Sequence, residues 1–198
     1  MRRTLAIDIE SYGPDHPDIA RDLNNLARLL QATNRLEEAE PLYRRALEIV
    51  EKSYGPGHPK VARASSNLAG LLRATNRVPQ AEPLYGRALE IHEKSYGPDH
   101  PDVAASLNSL ARLLEADDRL EEAEPLSARN VVILLKATRL AGHLHPRLKT
   151  SLLHRRRLLR KIGVNDREIA QNTRALGMMA GYDDDELLKL EARLRACT

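Results

Sequence analysis

The sequence predicts an all-α fold of stacked helix pairs, and three observations carry that prediction. The peptide Ser-Tyr-Gly-Pro-x-His-Pro occurs three times, starting at Ser11, Ser53 and Ser95, with a step of 42 residues each time. Residues 11–52 match residues 53–94 at 29 of 42 positions. Between the copies, apolar residues recur three and four apart, the spacing of one helical face. A period of roughly 20–50 residues marks an array in which each unit buries its apolar face against its neighbours. Such arrays present a surface rather than a catalytic cleft, so the repeat directs the functional reading towards binding.

Composition agrees. The 198 residues are 42% hydrophobic, yet they include no Trp or Phe and only 6 Tyr. The core must therefore be Leu, Ala, Ile and Val, which suits closely packed helices. Charged residues make up 30% with a net charge of +3, too balanced overall to demand a polyanion partner. The single cysteine, Cys197, excludes an intramolecular disulfide and points to a reducing, cytoplasmic setting. No apolar run is long enough to span a bilayer, and no charged-then-apolar leader is present.

The first full unit shows how each helix is specified. Asp15-His16-Pro17 precedes a stripe at Ile19, Leu23, Leu26, Ala27 and Leu30. Pro17 suits the first helical turn, where its missing N–H has no intrahelical partner, and Asp15 or His16 supplies the cap. Asn34-Arg35 interrupts the pattern, and a second stripe follows at Leu36, Ala39, Tyr43, Ala46, Leu47 and Ile49. Pro41 falls early in that helix, where its backbone cost is small. Glu48 with Lys52, and Glu90 with Lys94, are spaced as i,i+4 ion pairs. Tyr54-Gly55-Pro56 ends the helix. Ala27 faces Ala39 and Ala46 in an antiparallel pair, which lets the two backbones approach closely. The set returns as Ala69, Ala81 and Ala88, and as Ala111 and Ala123.

These residues, above all Leu23-Asn24-Asn25-Leu26-Ala27, the run from Asn34 to Tyr43, and Arg45-Ala46-Leu47, resemble the tetratricopeptide repeat in its 42-residue, kinesin light chain-like variety. The resemblance implies a right-handed α-solenoid of antiparallel helix pairs. It covers residues 11–127, with residues 1–10 as the second helix of an incomplete unit, which suggests a longer array. Full units are expected at 11–52, 53–94 and 95–139. Ser65 replaces the core leucine of Leu23 and Leu107, and Ser127 replaces the aromatic of Tyr43 and Tyr85; each weakens packing without breaking the unit.

The chain then drifts. Gly142-His143-Leu144-His145-Pro146 echoes Gly97-Pro98-Asp99-His100-Pro101 at a step of 45, so the intervening helix gains three residues. A degenerate fourth unit is expected at 140–180, with helices at 146–162 and 165–176 and an apolar stripe at Leu148, Leu152, Leu159 and Ile162. Arg155 falls where Leu26, Leu68 and Leu110 sit, and Arg156 where Ala27, Ala69 and Ala111 sit. An isolated buried charge is expensive, so these arginines must pair, turn outward or loosen the unit. A capping helix closes the chain at 181–198, its acidic start at Asp183–Glu186 suiting the helix dipole.

Four candidate sites follow. In tetratricopeptide arrays the first helix of each unit lines a concave groove, which here offers Arg21, Asn24, Asn25 and Arg28, then Arg63, Ser66, Asn67 and Arg73, then Asn108, Ser109 and Arg112. Asn can bond a peptide backbone and Arg can clamp a carboxylate, so the resemblance implies an acidic peptide or protein partner. An alternative makes the array the sensor or regulatory region of a larger signalling protein. The basic run 129–161, with Arg155, Arg156, Arg157, Arg160 and Lys161 at its centre, could hold a polyanion, but it has no aromatic residue to stack bases, which disfavours nucleic acid. His16, His58, His100 and His145 form a ladder one repeat apart rather than a metal cluster, and read as helix caps. No phosphate loop, nucleophile elbow or clustered carboxylate pair is present, so neither catalysis nor a cofactor or metal is expected.

Overall fold

The computed structural model describes residues 13–196, and among them the regular structure is all helical. Helix α1 spans Pro17–Ala32, α2 Leu36–Tyr54, α3 Pro59–Ala74, α4 Val78–Tyr96, α5 Pro101–Ala116 and α6 Leu120–Ala141. Helices α7 (Leu148–Lys161), α8 (Asp166–Met179) and α9 (Asp184–Ala196) follow. The expected half-unit at residues 1–10 lies outside the described residues.

The repeated peptide is a helix-to-helix connector in which the glycine, the histidine, the final proline and, in the second and third copies, the tyrosine each have a physical task. Gly55 takes a positive φ of 82°, a left-handed conformation that a Cβ would strain, and Gly97 does the same at 84°. The next helix starts on proline, capped by the preceding histidine. His16, His58 and His100 each accept at Nδ1 a backbone N–H two residues on, from Asp18 (3.3 Å), Lys60 (3.1 Å) and Asp102 (3.1 Å). The cap is thus His16, not Asp15. The connector's tyrosine holds the cap in place, since the Tyr54 and His58 rings stack at 4.8 Å and those of Tyr96 and His100 at 4.5 Å. Within each unit the tight turn falls on Asn34, Asn76 and Asp118, at φ between 56° and 59°. Asn and Asp are the residues with side chains that tolerate this region best.

The chain divides into two compact units, residues 1–95 and 96–198. In the first, α1 packs antiparallel to α2, and α3 packs on α2. The core joins Ile19, Leu23, Ile49, Val61 and Ile91 around Ala20, Ala46, Ala62 and Ala88. Those four alanines are fully buried, so the helices close to distances that larger side chains would forbid. Arg77 forks onto both carboxylate oxygens of Glu40 (3.0 and 2.6 Å), tying the turn before α4 to α2. The Arg77 hydrogen bond, aided by Arg44, holds the Glu40 carboxyl below its usual range against the opposing pull of burial. A carboxylate depressed on folding adds stability above its unfolded pKa near 4.5 and loses it as pH falls through the folded value. Thermal melts are therefore expected to show Tm dropping as pH falls below about 4.5, and less so in Glu40→Gln.

One expected ion pair takes a different partner. Glu90 and Lys94 meet as their spacing predicts, at 2.5 Å, but Glu48 pairs with Arg45 and Lys52 reaches Asp15 at 2.9 Å. Asp15 lies in the connector where the second repeat has Gly57 and the third has Asp99, so of the three repeats the second lacks this acceptor, while in the third Lys136 reaches Asp99 at 2.8 Å as Lys52 reaches Asp15. A Cβ at Gly57 would meet nothing within 4 Å, and its φ is not in the left-handed region. Gly57→Asp should therefore stabilise the protein by about 1 kcal/mol, through lower unfolded-state entropy and an acceptor for Lys94. A calorimetric Tm no higher than that of the wild type would refute this.

In the second unit, α5 pairs with α6, α7 packs on α6, and α8 packs on α6 and α7. Helix α6 has 22 residues against 19 in α2 and α4, the three-residue gain read from the sequence. Helix α7 starts at Leu148 rather than Pro146, because the short connector ends in a turn at Arg147. Its stripe also shifts: Leu158, not Leu152, is fully buried, packing with Ala111, Leu114 and Ala123. Asn130 stands at the register of Ala46 and Ala88 and is buried, donating from Nδ2 to the Ala104 carbonyl at 2.6 Å. Ser127, at the register of the repeat tyrosines, is buried as well. Buried Ser65 has a hydroxyl with no hydrogen-bond partner, the cost of serine at a leucine position.

The two arginines at packed positions resolve differently. Arg155 stays buried and bonds Glu124 twice, to Oε1 at 2.6 Å and to the main-chain oxygen at 3.3 Å. Arg156 turns outward to Asp166 at 3.4 Å. Reciprocal bonds between Asn165 and Glu168 cap α8, and Asp183 and Glu186 do the same for α9.

Candidate functional site

The groove residues arise from helical periodicity. On α1, Arg21, Asn24, Asn25 and Arg28 are three, four and seven residues apart, so they share one face while Leu23, Leu26 and Ala27 fill the core behind them. On α3, Arg63 and Asn67 share the corresponding face. Together these six line a groove of about 410 Å³ within the first unit. Its remaining wall includes Asp18, Val50, Tyr54 and Lys60.

The polar groups are partly committed to the fold. Asn67 donates from Nδ2 to Asn24 Oδ1 at 3.2 Å, and Asn24 donates to the Ala20 carbonyl at 3.0 Å. This amide pair links α1 to α3 across the groove floor. Arg21 pairs with Asp18 at 3.0 Å. Lys60 donates to the Tyr54 hydroxyl at 2.6 Å and lies 4.0 Å from its ring centroid. Arg28 and Arg63 are exposed and make no ion pair with any described residue. Four cations thus line the groove against one carboxylate, with amides between them. Such a surface attracts anionic groups and can bond an extended backbone.

The other residues predicted for the groove lie elsewhere. Ser66 and Arg73 are half-buried on α3, outside the groove walls. Asn108, Ser109 and Arg112 lie on α5 in the second unit, where Ser109 bonds its own helix at the Ala105 carbonyl (3.0 Å) and Arg112 is exposed. Sequence reasoning missed Lys60 and Tyr54. The signal for Lys60 was available: it stands where the other repeats have Asp18 and Asp102. Gly57, Pro79 and Gln80 likewise stand where the first repeat has Asp15, Glu37 and Glu38, so the second repeat is the least acidic of the three.

The basic run is largely taken up by internal pairing. Arg155 is held by Glu124, Arg156 and Arg160 share Asp166, and Lys161 binds Glu115 at 2.8 Å. Lys136 binds Asp99 at 2.8 Å. Glu115 also meets His154 at 2.7 Å. Burial pushes the Glu115 carboxyl up, but the hydrogen bonds from Lys161 and His154 outweigh it and hold the group below its usual range. Of the five central cations, Arg157 alone is exposed without an ion pair to a described residue. His145, the fourth rung of the histidine ladder, accepts the Arg147 N–H at 3.2 Å, so all four cap or turn the backbone. Among the described residues no group of three or more His, Cys, Asp or Glu side chains converges, and no helix is long and apolar enough to cross a membrane.

Comparison with known proteins gives consistent results. The model of the tetratricopeptide repeat family matches residues 1–52, 23–91 and 60–129. Two crystal structures of kinesin light chain-type, nearly identical TPR-like repeats from Podosopora anserina are similar to this chain. One is 26% identical, with 88% of this chain and 82% of that chain covered and a TM-score of 0.71. The other is 25% identical, with 92% and 86% covered and a TM-score of 0.70. BtubC (BKLC) from P. vanneervenii is similar in fold, at 23% identity and a TM-score of 0.69, with 92% of this chain and 65% of that chain covered. No curated protein matches the sequence.

Proposed function

Because the chain belongs to the tetratricopeptide repeat family, whose repeats generally mediate protein–protein interaction, we propose that its first unit holds an acidic peptide segment of a partner protein in the groove between α1 and α3. One observation carries this reading: Arg21, Arg28, Lys60 and Arg63 line the groove with Asp18 as the one carboxylate in its walls, while Asp22 beside it reaches Arg21 alone, at 3.6 Å. Arg28 and Arg63, lacking ion-pair partners among the described residues, are the groups that clamp carboxylates of the ligand. Asn25 and the Asn24–Asn67 pair supply donors and acceptors for its backbone.

The test is selection of a phage-displayed random dodecapeptide library on the full chain, followed by fluorescence anisotropy with the enriched sequences. Acidic peptides are expected to dominate. Arg28→Glu with Arg63→Glu should weaken them by about a hundredfold, the loss of two charge-assisted contacts, while Tm stays within about 1–2 °C. Enriched peptides without acidic residues, or equal binding by the double variant, would sink the proposal.

A further inference from the structure

Helix α7 is basic in a way that its ion pairs do not cancel. It carries six cations and no carboxylate, and no acidic residue occurs anywhere between Glu124 and Asp166. Three carboxylates from elsewhere meet four of the six: Arg155 takes Glu124 in the interior, Arg156 and Arg160 share Asp166, and Lys161 shares Glu115 with His154. The helix turns most of this charge outward. Leu148, Ser151, Arg155, Leu158 and Leu159 are buried, while Thr150, Leu153, Arg156, Arg157 and Arg160 are exposed at spacings of three and four, a stripe along the length of the helix.

One residue in that stripe is apolar. Leu153 is 57% exposed and stands where the first helices of the other repeats carry Asn24, Ser66 and Asn108. Arg156 and Arg157 follow it by three and four residues, so both flank it on the helix surface. Arg156 takes the register of Ala27, Ala69 and Ala111, which are fully buried, so α7 shows outward a side that the other three helices pack away. A partner that combines negative charge with an apolar layer beneath it would engage both the arginines and the leucine.

We propose that α7 docks this face on an anionic lipid surface, with its arginines among the headgroups and Leu153 dipping towards the acyl chains. Guanidinium groups pair with lipid phosphates and carboxylates, and their long stems let the leucine between them reach deeper. A nucleic acid offers the charge but no apolar layer for Leu153, and α7 has no aromatic residue on which a base could stack. A fluid surface also requires no shaped pocket, which suits a face built on a single helix. The proposal is independent of the groove in the first unit.

Sedimentation of the full chain with extruded vesicles tests it. The chain should pellet with vesicles of phosphatidylcholine and phosphatidylserine but not with phosphatidylcholine alone, and binding should fall as salt rises. Arg157→Glu should weaken binding about twenty-fivefold, two charge units at roughly fivefold each. Leu153→Ser should weaken it by about fivefold to tenfold through loss of apolar burial. Both positions are exposed, so Tm should stay within about 1–2 °C of wild type, and weaker binding cannot be laid to misfolding. The chain has no Trp, so Leu153→Trp provides a single reporter. Its emission should shift to the blue on the anionic vesicles and be quenched by lipids brominated in their acyl chains. Equal pelleting with both vesicle compositions, pelleting with neither, undiminished binding by Arg157→Glu, or a reporter that stays unquenched would each overturn the proposal. Retention of a single-stranded oligonucleotide without vesicle binding overturns it in favour of a nucleic acid.

Discussion

Glu124→Ala is expected to destabilise the second unit by about 3 kcal/mol, whereas Arg155→Met should cost less than about 1 kcal/mol. The two residues form one ion pair, so the asymmetry comes from where each charge sits. The Arg155 side chain is 4% exposed and that of Glu124 is 32% exposed. Removing Glu124 strands a guanidinium in the interior with only a main-chain oxygen at 3.3 Å, and its Nε already has no partner. Removing Arg155 instead returns a half-exposed carboxylate to water and leaves an apolar stem where Leu26, Leu68 and Leu110 stand in the other repeats. Urea unfolding of both single variants would measure the difference. Equal losses would show that the charge is solvated in a way the burial of Arg155 does not suggest.

Tyr182→Ala should have the next largest effect, about 3 kcal/mol, concentrated on α9. Tyr182 is 8% exposed, and its hydroxyl donates to the Leu135 carbonyl on α6 at 3.0 Å. The ring thus fills the space where the last turn meets the bundle. Helix α9 is also held by buried Leu187 and Leu190 and, at the surface, by Arg174 to Asp184 at 2.6 Å, Arg139 to Glu186 at 3.6 Å, and Arg193 to the Gly142 carbonyl at 3.3 Å. Hydrogen exchange across α9 should rise sharply in Tyr182→Ala. In Tyr182→Phe the loss should be about 1 kcal/mol, because only the hydrogen bond goes. Burial, reinforced by Glu186, raises the Tyr182 pKa above 10. A group raised on folding contributes stability that is present below its unfolded pKa and lost as pH climbs through the folded value. Protection of α9 should therefore decline above about pH 10 in the wild type and less so in Tyr182→Phe. Unchanged exchange in Tyr182→Ala would mean that α9 is held by other contacts.

Much of the groove is legible in the sequence, because a helical face is a local property. The positions of Arg21, Asn24, Asn25 and Arg28 follow from 3.6-residue periodicity once Leu23, Leu26 and Ala27 are assigned to the core. The inward role of Asn24 and Asn67 is not legible in the same way, since their bond joins residues 43 apart. Ser66 and Arg73 occupy positions that a repeat template treats as groove, yet neither is among the residues that line it. Lys60 emerges only when the repeats are compared with one another rather than with a template.

Local sequence dictates the repeat, the helix pairs, the caps at His16, His58 and His100, and the turns at Asn34, Asn76 and Asp118. Those features depend on residues within about four positions of each other, so a short peptide already contains the information. Helix packing settles where the long side chains go: Lys52 to Asp15 rather than Glu48, Arg155 inward to Glu124, Arg156 outward to Asp166, and Leu158 rather than Leu152 into the core. A flexible cation finds whichever acceptor the packed helices bring within reach, and Asp15 and Glu124 lie 37 and 31 residues from their partners. Local spacing offers candidates for such pairs, but only the approach of one helix to another selects among them.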